Sequence, residues 1–224
     1  MNIIKPYAKI LFPIEPLDFT NMLKRIEWIG RISHRSEDAQ TNDSYSRFIR
    51  SVVLGHGDWS ITEHASVTVE AVVDRGITHE WVRHRLGAYT QESTRFVNYE
   101  KKMPPSFIMP KEFYPSEDNP PGGDAFWQAA IETAEASYRN LIKSGVTPQI
   151  ARSVFPNALA SKLIVTYNLR MWRHFFIMRT TKEAHPQMRE VTIPLLEEFK
   201  SVIPILYEDI IPEARQIDNL KLPR

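Results

Sequence analysis

Cysteine is absent from the 224 residues. That absence removes disulfides, thiolate metal centres and every mechanism that begins with a cysteine nucleophile. Net charge is nearly absent too: 28 Lys and Arg stand against 27 Asp and Glu, a formal +1 at pH 7. No global basic field exists to draw nucleic acid or an anionic membrane, so any anion site must be local. No apolar run approaches the roughly 20 residues of a membrane span. The N-terminus, MNIIKPYAKILFPIEP, has prolines at 6, 13 and 16 and no signal-peptide apolar core. A cytoplasmic protein without membrane or nucleic-acid partners is the default expectation. The motif GxGxxG after a strand is missing, as are GxxxxGKS/T and GxSxG, which excludes a Rossmann fingerprint, a P-loop and a nucleophile elbow. His34, His56, His64, His79, His84, His174 and His185 form no HExxH or HxxxH pair on a helix face, so no metal site is expected.

What is present is a globular balance, 42% hydrophobic and 25% charged, at a length that suits one domain over 1–224. Apolar spacing predicts helices over 16–31 and 43–54, and the alternation of SVTVEAVV predicts a strand over 66–73. Asp74-Arg75-Gly76 reads as a break before a short helix over 77–86. Six prolines and a Gly-Gly pair mark 103–123 as an insertion. A long helix over 124–144 ends at Gly145. Pro148 opens the next helix and Pro156 stops it. KLIVTYNLR reads as a strand over 162–170, MWRHFFIMRT as a helix, and 185–211 as a helical region broken near Pro194 and Pro204. Helices with a few strands in irregular order predict an α+β fold.

The chemistry concentrates in RHRLGAYTQESTR, where Arg83, His84, Arg85 and Arg95 surround a hydroxyl-rich loop. An arginine fork matches phosphate or a pyrimidine carbonyl bidentately, and the loop from Gly87 to Ser93 brings backbone N–H groups toward an anion. On a helix, Arg83, His84 and Arg85 would fan about 100° apart per residue and face more than one ligand. The ordinary alternative is a solvated basic helix end paired with nearby acids. Arg152, Asn168, Arg170, His174 and Arg179 form a second basic group; on a strand, Asn168 and Arg170 would share one face. Two ordinary polar faces account for that group equally well. Ser93 as a nucleophile, with His84 as its base, needs a third orienting group that no motif supplies. A nucleic-acid module using 77–86 as its recognition helix is the non-enzymatic alternative.

Taken in order, the motifs resemble the flavin-dependent thymidylate synthases. Arg83-His84-Arg85 is followed by seven residues, LGAYTQE, and then Ser93-Thr94-Arg95. SITEHASVTV upstream, and ARSVFPNALASKLIVTYNLRMWRHFFIMR and AHPQMRE downstream, resemble the family's other elements in the right order, over about Ser33 to Glu190. The resemblance implies a mostly antiparallel twisted sheet packed with helices, and a homotetramer with shared active sites. It implies methylation of dUMP, with 5,10-methylenetetrahydrofolate as carbon donor and NADPH-reduced FAD as hydride source. It places Arg83, His84 and Arg85 between flavin and substrate. It gives Glu80, Arg83, Glu92, Ser93, Thr94, Arg95, Arg152 and Arg179 to dUMP, with Arg83, His84, Arg85, Ser93 and Arg179 counted as catalytic. Ser33, Ser60, Glu63, His64, Asn168, Arg170, His174 and His185 would line FAD. The missing cysteine agrees with this chemistry, because thiolate-dependent synthases activate uracil through a covalent step that this chain does not possess. Glu80 stands where the family often has Gln, Asp58 where many members carry His, Gln91 for Asn and Phe96 for Tyr. A member that binds nucleotide without turnover, on account of Glu80, is the remaining alternative.

Overall fold

The computed structural model describes residues 1–101, 103–114, 123–215 and 218–219. Positions 102 and 115–122 of the proline-rich stretch lie outside the described residues, and so does most of the C-terminal tail. The described structure is 53% helical and mixes these helices with a mostly antiparallel sheet, as an α+β reading expects. It forms two compact units: 1–7, 71–83 and 90–164 make the first, and 8–70, 84–89 and 165–224 the second.

In the first unit, β1 (Asn2–Ile4) pairs in parallel with β5 (Ser106–Ile108), Ile3 opposite Phe107. Helix α3 (Arg75–Trp81) is started by Asp74, whose carboxylate accepts from the Ile77 N–H at 2.7 Å. Asp74-Arg75-Gly76 is therefore a helix cap and first turn rather than a break. The helix ends at Trp81, five residues short of the expectation of 77–86. Helix α4 (Gly123–Lys143) ends where Gly145 takes φ +87°, the left-handed conformation that closes a helix cheaply only with glycine. Pro148 opens α5 (Pro148–Ala151), and one 3-10 turn, Arg152–Val154, extends it. Tyr99, Tyr138 and Phe155 pack this unit's core, the last two stacked at 4.5 Å between ring centroids.

A four-stranded sheet has the order β2 (Tyr7–Phe12), β3 (Ser66–Asp74), β6 (Ala160–Asn168) and β4 (Ala88–Gln91). β3 buries Val67 and Val69 on one face, as its alternation predicts. Helix α1 (Pro16–Ile32) buries Phe19, Met22, Leu23 and Ile26 at helical spacing. Helix α2 (Ser44–Phe48) continues as a π-helix, Ile49–Gly55, and a 3-10 turn, Trp59–His64, leads into β3. β6 ends at Asn168, whose side chain accepts from the Met171 N–H at 2.8 Å and caps α6 (Leu169–Arg179). Asn168 and Arg170 therefore do not share a strand face; Arg170 lies in the first helical turn. Trp172, Phe175, Phe176, Phe199 and Tyr207 are fully buried together, and Trp172 donates to the Val67 carbonyl at 2.9 Å. Helix α7 (Pro186–Val202) runs through Pro194 without a break, and the chain breaks instead at Ile203, ahead of α8 (Pro204–Tyr207). The missing proline donor is outweighed by the buried stripe of Val191, Leu195, Leu196 and Phe199.

Candidate active site

The chain from Arg83 to Leu86 is not helical, and its burial alternates. Arg83 and Arg85 are exposed while His84 between them is 8% exposed. The expected helical fan of three basic side chains is replaced by an extended turn that sends the imidazole inward. In the second unit, His84 lies edge-on to Phe175, 5.0 Å between centroids, and 5.9 Å from the His174 ring. Its Nε2 accepts from Arg179 Nε at 2.8 Å. An accepting Nε2 requires the proton on Nδ1, so the ring is the neutral Nδ1–H tautomer. Desolvation by burial lowers its pKa from 6.5 to about 4, with the Arg179 cation and His174 adding to the shift. The same two causes, desolvation first and then Arg179, lower His174.

Tyr89, Tyr167 and Thr192, which sequence reasoning did not single out, hold this turn together with Gly87. Tyr89 donates its hydroxyl to the His84 carbonyl and shares a short hydrogen bond with the Tyr167 hydroxyl. Burial raises the Tyr89 pKa, which keeps the hydroxyl protonated. Gly87 lies against the Tyr167 ring so closely that a Cβ there would sit 2.2 Å from Cδ1 and 2.9 Å from the Thr166 carbonyl. Thr192 donates to the Arg179 carbonyl at 2.8 Å, tethering the end of α6. The alternating Gly87 and Tyr89 were visible in the sequence, but only the buried Tyr167 gives them a purpose.

A linkage follows from the depressed His84 pKa. Above pH 6.5 the ring is neutral in both the folded and unfolded states and contributes nothing. As pH falls from 6.5 toward 4, the unfolded chain takes up a proton that the folded chain refuses, so stability drops by about 3 kcal/mol and then levels off. Thermal unfolding of the wild type against His84→Gln across that range measures this. The wild type is expected to lose more of its Tm on acidification than the variant, which keeps an acceptor for Arg179 but has no proton to gain.

Around the α6 N-terminus, Arg170 Nη1 meets Glu63 Oε1 at 2.6 Å, with both side chains about half exposed. Leu169 N–H donates to the Ala65 carbonyl at 3.0 Å, which sets Ser60, Glu63 and His64 beside α6, all three exposed. An exposed guanidinium next to an exposed carboxylate suits the pyrophosphate and ribose hydroxyls of a dinucleotide such as FAD. Asn168 spends its side-chain oxygen on the α6 cap. Asn168→Ala is expected to lower stability by about 1 kcal/mol in urea unfolding, and Asn168→Asp to retain most of it. Ser33 donates to the Gly30 carbonyl at 2.9 Å and bonds His34. His185 caps α7 through Nδ1, which accepts from Gln187 N–H at 3.2 Å. No hydrogen bond or ion pair among the described residues joins Ser33 or His185 to the Glu63–Arg170 pair.

The first unit gathers the other predicted residues. Arg152 Nη1 donates to the buried Thr94 hydroxyl at 2.7 Å. Ser93 anchors the following turn, since its carbonyl accepts from Val97 N–H at 3.0 Å and its hydroxyl from Arg95 N–H at 3.3 Å. Arg95 is exposed and lies over the Phe96 ring. Glu92 accepts from Tyr99 at 2.8 Å; burial, and then that carboxylate, push the Tyr99 pKa well up, so the phenol remains a donor. Gln91 is committed to Thr78 at 3.0 Å and Ser161 at 3.1 Å. Glu80 and Arg83 lie on and just after α3, and neither Arg83 nor Arg85 forms an ion pair among the described residues.

Residues 17–205 match the protein family described as Thymidylate synthase complementing protein. The chain is 31% identical over 190 residues to the flavin-dependent thymidylate synthase of Pyrococcus abyssi, covering 79% of this chain and 74% of that protein. It is 30% identical over 205 residues to the flavin-dependent thymidylate synthase of Mycobacteroides abscessus, covering 82% and 78%. Among solved structures it resembles a UMP/dUMP methylase from Streptomyces cacaoi bound with 5-Br dUMP, at a TM-score of 0.72 over 93% of this chain and 96% of that one. At 23% identity this last likeness speaks for the fold.

Proposed function

Because the chain belongs to the Thymidylate synthase complementing protein family, we propose that it is the enzyme that methylates dUMP reductively to dTMP, with 5,10-methylenetetrahydrofolate as carbon donor and NADPH-reduced FAD as hydride source. The observation that carries the reading is the Arg83–Arg85 turn, with two exposed arginines that form no ion pair among the described residues flanking a buried neutral histidine that orients Arg179, in a chain without cysteine. When bound, FAD supplies the hydride that removes the need for a thiolate.

The chain's own residues bind and orient. Arg95, Arg152 and Ser93 hold the dUMP phosphate, with Thr94 and Glu92 fixing Arg152 and the loop. Arg83, Arg85 and Arg179 offer N–H forks to the uracil carbonyls and stabilise the negative charge that develops there. Arg170 and Glu63 hold the FAD pyrophosphate and ribose, with Ser60, His64, Asn168 and His174 beside them and Ser33 and His185 contributed from elsewhere in a homotetramer. The protein acts in the cytoplasm; no helix among the described residues is long and apolar enough to cross a membrane.

Purified protein supplied with FAD, NADPH, dUMP and methylenetetrahydrofolate is expected to form dTMP, and to stop when any one component is omitted. No dTMP with all four present would overturn the reading. Glu80 favours one variation. A carboxylate accepts from a cytosine amino group, whereas an amide also donates to a uracil carbonyl, so a cytidylate is the substrate to compare. Glu80→Gln is expected to raise turnover of dUMP and lower that of dCMP; equal effects on both would dismiss the variation.

A further inference from the structure

Tyr99 of the first unit is 6% exposed, and its phenol donates to Glu92 Oε1 at 2.8 Å. Among the described residues no other hydrogen bond or ion pair reaches that carboxylate. One of its oxygens is therefore fixed and the other is open to a ligand.

Tyr99 is itself held on two sides. Its backbone N–H donates to the hydroxyl of Tyr138, on α4, at 3.3 Å. Its ring stands edge-on to Tyr138 and Phe155, 5.9 and 5.6 Å between centroids. The Phe155 N–H donates in turn to the Arg152 carbonyl at 3.1 Å, closing the turn that carries Arg152. Arg152 reaches back to the hydroxyl of Thr94, two residues beyond Glu92. One buried tyrosine thus joins the Glu92 carboxylate, through a packed aromatic cluster, to the Arg152 guanidinium. A phenylalanine would fill the same aromatic space, so what the hydroxyl adds is a donor aimed at Glu92. Glu92 and Tyr99 also border a cavity of about 460 Å³, and loss of the phenol would free the carboxylate to turn into it.

An ionised carboxylate only accepts hydrogen bonds. With the phosphate of dUMP on Arg95 and Arg152, the donors that nucleotide brings are the 3′-hydroxyl of its sugar and the ring N3–H, and the hydroxyl is the one nearer the phosphate. We propose that Tyr99 is a positioning residue for the substrate. It holds Glu92 in register with Arg152, so that the carboxylate accepts from the sugar hydroxyl of a nucleotide whose phosphate lies on Arg152. This rests on the dUMP reading given above.

The test is calorimetric titration of the FAD-loaded protein with dUMP and with 2′,3′-dideoxyuridine 5′-monophosphate, which lacks the hydroxyl. Wild type is expected to bind dUMP about 10-fold or more tightly than the analogue, the effect of one hydrogen bond to a charged group. In Tyr99→Phe that preference is expected to shrink to about 3-fold or less, with the analogue bound as tightly as by wild type. The KM for dUMP rises with the loss while kcat stays near wild type, as for a contact made equally in ground and transition states. Glu92→Ala is expected to abolish the preference, and Tyr99→Phe to change nothing further in that background. Equal weakening of both nucleotides by Tyr99→Phe would mark the residue as merely structural and overturn the proposal. A preference intact in Tyr99→Phe, or a wild type that binds both nucleotides alike, would overturn it too. Failure of the synthase reading looks different: the preference for dUMP lost in Tyr99→Phe as expected, and no dTMP from wild type with every cosubstrate present.

Discussion

Arg179→Ala is expected to lower kcat/KM for dTMP formation by about 100–1,000-fold, the usual effect of deleting one preorganised donor from a desolvated site. Three features of the structure make this the sensitive position. The guanidinium is held by His84 Nε2 at 2.8 Å, its backbone is tethered by Thr192, and its charge helps keep both His84 and His174 neutral. Removing it also leaves the buried His84 nitrogen without its donor, a loss of about 1–3 kcal/mol in stability. Arg179→Lys restores the charge without the fork and is expected to recover only part of the rate, because a point charge cannot keep one N–H on His84 and another on the substrate. Steady-state kinetics beside thermal unfolding separate the two effects. A variant that loses Tm but keeps its rate would show that Arg179 is structural.

Gly87→Ala carries the second large effect. The added methyl would lie 2.2 Å from one Tyr167 carbon and 2.3 Å from the next, on a ring that is 1% exposed and cannot swing away. Overpacking of this kind destabilises by about 3 kcal/mol at the upper end of its range, or roughly 6–12 °C in Tm for a chain of this size. The displaced Tyr167 would also release Tyr89, and with it the carbonyl of His84, so the rate is expected to fall even at temperatures where the variant remains folded. Tyr167→Leu in the Gly87→Ala background opens space and is expected to recover stability but not activity.

Long periodic segments were legible in the sequence. Helix α1, helix α4 and strand β3 each carry enough repeats of 3.6 or 2 to fix their type within a residue or two. The strands β1, β4 and β5 span three or four residues, too few for any period to appear. Asp74 and Asn168 were misread for one shared reason. Each ends a strand and caps the next helix, and a strand-to-helix junction without a loop shows neither pattern cleanly. The Arg83–Arg85 turn was misread because polar residues after an amphipathic run look like its continuation. Its extended course is set by Tyr167, Phe175 and Arg179, more than 75 residues downstream, as the separation of Tyr89 from Tyr167 alone shows. The identities of the site residues were readable as ordered motifs. Their division of labour was not: that His84 is buried as a positioning acceptor while its neighbours stay exposed depends on tertiary packing.

The central claim is that the hydride comes from a bound flavin and no protein thiolate is needed. It is tested most directly in a single anaerobic turnover. Protein loaded with FAD and reduced by dithionite is mixed with dUMP and methylenetetrahydrofolate, and flavin absorbance is followed while dTMP is quantified. The account predicts reoxidation of the flavin with one dTMP formed per flavin, and no dTMP from flavin-free protein. Formation of dTMP by the flavin-free protein, or reoxidation of the flavin without dTMP, would contradict it.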